Sequence, residues 1–144
     1  MCDVESVILE TTRSFPCVMI CGSSSETSAL AEKLFAGSFR FVSLEDSSAC
    51  RLAASAPKLF LERHNWPLII EEIQKAPGLV DEIKIRIDRQ RLAWLRSGEP
   101  RRLMYVLICS DYAALEKSSC DSLAGRCGIV DVSSFKNPGQ DRGD

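Results

Sequence analysis

Apolar residues fall along this chain in short compact runs that alternate with helically spaced ones. Cys17-Val18-Met19-Ile20-Cys21 is an unbroken apolar run closed by Gly22, the pattern of a strand buried on both faces. Val4, Val7 and Ile8 predict a helix before it. From about Glu26 to Phe35 the residues Leu30, Ala31, Leu34 and Phe35 recur at helical spacing, with Gly37 as the stop. Phe39-Arg40-Phe41-Val42-Ser43-Leu44 alternates and is rich in aromatic and branched side chains, so it predicts a second strand running into an acidic loop at Glu45-Asp46. Short helices follow through Leu52 to Ala54 and through Leu59 to Arg63. Leu68-Ile69-Ile70 is the third strand, and Leu79, Ile83, Ile85 and Ile87 accompany a helix after Pro77-Gly78. Leu103 to Cys109 is the fourth strand and Gly128 to Val132 a short fifth.

Strands alternating with helices predict an α/β fold, a three-layer sandwich with a mostly parallel five-stranded sheet and right-handed crossovers. Ligands in such sheets bind beyond the carboxyl ends of the strands, which puts the loops at Gly22, Glu71 and Ser110 on one edge. Residues 1–135 read as one domain. The segment 136–144 is polar, holds Pro138, Gly139 and Gly143, and reads as a disordered tail. Trp66, Trp94, Phe35, Phe39, Phe41 and Phe60 are assigned to the space between helices and sheet.

The chain has 144 residues and a formal charge of −2, which supplies no general basic face for nucleic acid or an anionic membrane. Seven cysteines without a CxxC pair argue against a disulfide framework or a zinc knuckle. Cys17, Cys21 and Cys109 read as small buried hydrophobes of a reduced, cytoplasmic protein. No run approaches the roughly 20 apolar residues of a membrane span, and Asp3 and Glu5 stand where a signal peptide would be basic.

Three ordered segments carry a resemblance: Phe41-Val42-Ser43-Leu44-Glu45-Asp46, the stretch from Ile69 to Pro77, and Asp121-Ser122-Leu123-Ala124-Gly125-Arg126. With the Gly22 loop they make the chain, from about Phe15 to Val132, resemble the AAA-superfamily predicted ATPases, whose P-loop NTPase-like domain is normally followed by an uncharacterised C-terminal domain. The resemblance implies a P-loop fold of the AAA type and, as family cofactors, ATP and Mg2+. Family members continue into a second domain, which on this resemblance is expected to be missing here.

The family's Walker A loop is G-x-x-x-x-G-K-[ST], whose backbone wraps phosphates while lysine meets the terminal phosphates and the hydroxyl residue binds magnesium. Matched to it, Gly22 keeps the first glycine. Thr27 takes the second glycine position, Ser28 the lysine position and Ala29 the metal-ligand position. A β-branched residue resists positive φ, serine carries no charge, and alanine has no oxygen. Each lost charged hydrogen bond is worth roughly 1.5–3 kcal/mol. Gly22, Ser23, Ser25, Thr27 and Ser28 are therefore the candidate anion-binding positions of a weakened cradle. The favoured reading over that cradle is a self-capped helix, because Ser23-Ser24-Ser25-Glu26 is a capping-box pattern.

The family's Walker B motif ends an apolar strand in Asp-Glu. The resemblance gives Glu71 the metal-ordering role and Glu72 the catalytic one; the competing reading has both simply ending a strand in solvent. Ser110 matches a phosphate-sensing position, with Cys109 where glycine is more usual. Arg126 matches an arginine that meets phosphate or a neighbouring subunit, against an ion pair with Asp121 or Asp131, which is favoured. His64 reads as a surface or capping histidine. Arg86, Arg89 and Arg91 read as a solvated helix face beside Glu82 and Asp88, and Arg96, Arg101 and Arg102 flank a turn.

The sequence thus predicts a degenerate AAA-like domain, without tight cofactor binding or effective ATP hydrolysis, that serves as an interaction module through a protein partner or self-association, or is a shortened remnant. The alternatives are a weak ATP-binding protein or ATPase using Glu71 and Glu72, and nucleic-acid association through Arg86 to Arg102.

Overall fold

The computed structural model describes residues 3–119 and 123–135. Helix α1 (Val4–Ser14) leads to strand β1 (Cys17–Cys21) and helix α2 (Ser24–Phe35). Strand β2 (Arg40–Ser43), helices α3 (Ser47–Ser55) and α4 (Pro57–Arg63), and strand β3 (Leu68–Glu71) follow. A 3-10 turn at Ile73–Lys75 precedes α5 (Leu79–Ser97), β4 (Tyr105–Cys109), α6 (Tyr112–Ser119), β5 (Cys127–Asp131) and a last 3-10 turn at Val132–Phe135.

Local chemistry sets several boundaries. Asp3 caps α1 by accepting from the Ser6 amide at 2.8 Å, and Asp46 caps α3 by accepting from the Ala49 amide at 2.9 Å. Gly98 ends α5 at φ 77°, a left-handed conformation that glycine adopts without steric cost.

The five strands form one all-parallel sheet in the order β2-β3-β4-β1-β5. Side chains alternate between its faces. Cys17, Met19 and Cys21 of β1 join Leu68, Ile70, Tyr105 and Leu107 under α3 to α6, whereas Val18 and Ile20 join Ile69, Val106 and Ile108 on the face where Ile8 of α1 and Ala31 and Phe35 of α2 pack. Helices thus cover both faces, giving three layers. The register seats α1 tightly on the edge strand: a Cβ at Gly128 would lie 2.2 Å from Thr11 Cγ2.

The connections reverse direction at β1. The chain leaves β1 through α2 and crosses to the far edge at β2, then steps back through β3 and β4 before reaching β5 on the other side of β1. The crevice beyond the ends of β1 and β4 is therefore a switch point, and there the Gly22 amide donates to the Cys109 carbonyl at 3.2 Å.

The sheet is wholly parallel where the sequence predicted a mostly parallel one. Helix α6 has no counterpart in the sequence reading. Phe41, expected in the core, is 58% exposed, because β2 is an edge strand and Phe41 lines an open groove beside Glu32 of α2 and Ala36 at its end. The predicted tail, 136–144, lies outside the described residues.

Candidate functional site

Every strand runs into at least one carboxylate at its carboxyl end. Glu26 lies beyond β1, Glu45 and Asp46 beyond β2, Glu71 and Glu72 at the end of β3, Asp111 beyond β4, and Asp131 ends β5. Lys75 is the sole Lys or Arg among the described residues of these loops. The field at this edge repels anions and attracts cations.

Glu71 and Glu72 point to different partners because Glu72 leaves the strand in a left-handed conformation, φ 63° and ψ 49°. Glu71, half-buried, accepts from the Ser43 hydroxyl of β2 at 2.7 Å and from the Ser28 hydroxyl of α2. Glu72 is only 4% exposed. It accepts from Ser110 Oγ at 2.9 Å, from Gln74 Nε2 at 3.1 Å and, more weakly, from Ser24 Oγ at 3.4 Å. Gln74 also donates to Ser110 Oγ at 3.1 Å. Two acids on one strand end thereby tie α2, β2 and β4 together. The expectation that both acids end a strand in solvent fails for Glu72, whose burial is offset by these donors.

The loop after β1 is arranged differently from the predicted self-capped helix. Ser23 is the N-cap of α2, yet its side chain makes no hydrogen bond to the helix amides. Its hydroxyl donates to Glu26 Oε1 at 2.8 Å instead. Thr27 is buried and turns its hydroxyl onto the carbonyls of Ser23 at 2.9 Å and Ser24 at 3.2 Å. Gly22 has φ 150°, and a Cβ there would lie 3.2 Å from Val132 Cβ and 3.3 Å from Thr27 Cγ2, so Thr27 and Val132 wall off the first turn of the loop. Ser25 is exposed.

Gly22, Ser23, Ser28, Glu71, Glu72 and Ser110 therefore meet at one edge as expected. Arg126 does not join them. It precedes Cys127, which is level with Cys17 at the start of β1, so the five residue steps to Asp131, at about 3.3 Å each, separate it from that edge by roughly 17 Å. Among the described residues Arg126 pairs with Asp88 on α5, through Nε–Oδ1 at 2.7 Å and Nη2–Oδ2 at 3.1 Å, rather than with Asp131. Asp121 lies outside the described residues. The hydrogen bond from Arg126 holds the Asp88 carboxyl below its ordinary range. Sequence reasoning missed Ser24, Ser43 and Gln74, whose only signal is the density of hydroxyl and amide residues at the strand ends.

The donor set fits Mg-ATP poorly. The two carboxylates already accept from hydroxyl and amide groups, the Ala29 side chain has no oxygen, and among the described residues the loop after β1 holds no Lys or Arg. Among the described residues no group of three or more His, Cys, Asp or Glu side chains is placed to hold a metal ion. Cys21 and Cys109 lie side by side in register on β1 and β4. The side-chain hydrogen bond with Cys109, together with burial, pushes the Cys21 thiol up and keeps it a poor nucleophile. His64 caps α4, with Nδ1 3.0 Å from the Phe60 carbonyl and its ring stacked on Phe60. No helix among the described residues is long and apolar enough to cross a membrane.

Comparison with protein-family models, with curated proteins and with solved structures finds no match to this chain.

Proposed function

We propose that this protein is a degenerate P-loop domain of the AAA type that lacks effective ATP binding and hydrolysis and acts as an interaction module. The observation that carries the reading is the hydrogen bond from Ser28 to Glu71. Under the sequence resemblance, Ser28 stands where a lysine would meet the terminal phosphates and Glu71 where a carboxylate would order magnesium. Here a neutral hydroxyl joins the two positions to each other. The acidic loops at the same edge oppose a polyanion, and the left-handed turn at Glu72 aims that carboxylate at Ser110 and Gln74. The edge is thus held together by its own side chains.

A second reading, a weak ATP-binding protein or ATPase using Glu71 and Glu72, draws on two observations. Glu72 is a buried non-glycine residue with positive φ, and such strained positions concentrate at functional sites. The amides at the start of α2 are also free of a side-chain cap from Ser23, leaving donors that an anion could use. A phosphate-release assay separates the readings. Our proposal predicts the same background rate for the wild type and Glu72→Gln, and a wild-type rate well above Glu72→Gln would favour the second.

A further inference from the structure

The amino-terminal edge of the sheet, opposite the acidic loops, carries a surface of contrary chemistry. Between residues 89 and 102 the sequence places Arg89, Arg91, Arg96, Arg101 and Arg102 against Glu99 alone. Glu99 is turned back onto Ser97, accepting from Ser97 Oγ at 3.3 Å while its own amide donates to that hydroxyl at 3.2 Å.

Two grooves flank the end of α5 and share Trp94 and Glu99 as walls. One, of about 340 Å³, is completed by Arg91, Leu95 and Arg101. The other, of about 410 Å³, is completed by Trp66, Gln90, Pro100 and Arg102. Leu95 is 80% exposed and Leu92 48%. Three residues apart on one helix, they share a face, so aliphatic surface lies open on α5 next to Arg91 and Arg96; Arg91 also donates to the Gly125 carbonyl at 3.1 Å and Arg101 to the Arg13 carbonyl at 3.2 Å.

This combination discriminates among occupants. Single-stranded nucleic acid binds by stacking bases on free aromatic faces. Here the guanidinium of Arg102 sits 5.0 Å over the Trp66 ring, and Trp94 is buried edge-on against Trp66 with centroids 6.1 Å apart. A second copy pairing through the same face would oppose arginine to arginine. A partner with both carboxylates and aliphatic side chains satisfies the surface as it stands.

We propose that this face docks an acidic amphipathic helix of a partner protein. Apolar residues of that helix seat on Leu92 and Leu95, and its carboxylates meet Arg91, Arg96, Arg101 and Arg102. The proposal rests on the interaction-module part of the function proposed above and is independent of the nucleotide edge.

The test is fluorescence anisotropy with a labelled synthetic helix carrying leucines at i, i+3 and i+7 and glutamates elsewhere. The controls are the same helix with lysines for glutamates and an oligo-dT strand. The glutamate helix is expected to bind, to weaken as salt rises, and to lose at least tenfold in affinity with Leu95→Glu and separately with Arg96→Glu. Both substituted side chains are exposed, and circular dichroism verifies that each variant is folded. The lysine helix and oligo-dT are expected not to bind. The proposal is overturned by absence of binding at low salt, by unchanged affinity in both variants, by equal or tighter binding of either control, or by a sedimenting dimer that Leu95→Glu dissolves. Titration of Mg-ATP into the same preparation reads the opposite edge. Nucleotide binding there removes the degenerate-domain reading alone, and failure of the helix to bind removes the docking surface alone.

Discussion

The Ser110 hydroxyl donates to Glu72 Oε2 over 2.9 Å, joining the carboxyl ends of the neighbouring strands β4 and β3. The bond forms because Glu72 turns left-handed, at φ 63°, directly after the strand. A residue other than glycine pays roughly 1–2 kcal/mol for that conformation, and the donors from Ser24, Gln74 and Ser110 offset it.

Removing the carboxylate while keeping the turn should expose both terms. Glu72→Ala is expected to lose about 1–3 kcal/mol in urea denaturation, because the hydrogen bonds made to a buried carboxylate are lost. Glu72→Gly loses the same hydrogen bonds without the steric cost and should be more stable than Glu72→Ala by ~1 kcal/mol. An alanine variant as stable as the glycine variant would show that the turn is not left-handed.

The seating of α1 on β5 supplies a sharper packing test. Gly128→Ala is expected to destabilise by about 1–3 kcal/mol through overpacking, since the added methyl meets Thr11 Cγ2 at 2.2 Å. Thr11→Ser deletes that methyl and keeps the hydroxyl that donates to the Val7 carbonyl. The double variant should therefore recover part of the loss, although Phe15 Cδ2 at 3.0 Å limits the recovery. Strict additivity in the double-mutant cycle would contradict this packing.

These two relationships show how unevenly the sequence disclosed the molecule. Strands β1 and β4 were legible because both their faces are buried and their apolar runs are unbroken. Helix α6 was not, since among its residues with described burial only Leu115 is buried, leaving little periodicity to read. The exposure of Phe41 depends on which strand lies at the edge, and the pattern within β2 does not carry that information. At the candidate site the Glu71-Glu72 pair, the Gly22 loop, Ser28 and Ser110 were legible as positions, but the hydrogen bonds from hydroxyls to the acids were not. Ser24, Ser43 and Ser110 lie on elements that become neighbours only through the β2-β3-β4-β1-β5 order. Arg126 and Asp88 likewise stand 38 positions apart in sequence and meet only once the loop before β5 packs on α5.

That ion pair gives the pH prediction. The carboxyl of Asp88 is held down in the folded state by the hydrogen bond from Arg126, so its contribution is fully present above the unfolded carboxylate range, near 3.9. It is lost as pH falls through the lower folded value. With the Asp88 side chain 41% exposed, solvent screening limits the effect. Asp88→Asn is expected to cost at most about 1 kcal/mol at pH 7, and the gap between variant and wild type should close as the solution is acidified through pH 4 to 3. A gap independent of pH would show that the pair contributes no ionic stabilisation.

The central claim is that the carboxyl edge no longer accepts a nucleotide, and isothermal titration of Mg-ATP into the wild-type protein tests it most directly. The triple variant Thr27→Gly, Ser28→Lys and Ala29→Thr serves as the comparison, because it restores the matched glycine, cation and metal-binding hydroxyl and frees Glu71 from Ser28. The expected result is no measurable heat of binding for the wild type and recovered affinity for the triple variant; micromolar binding of Mg-ATP to the wild type would contradict the account.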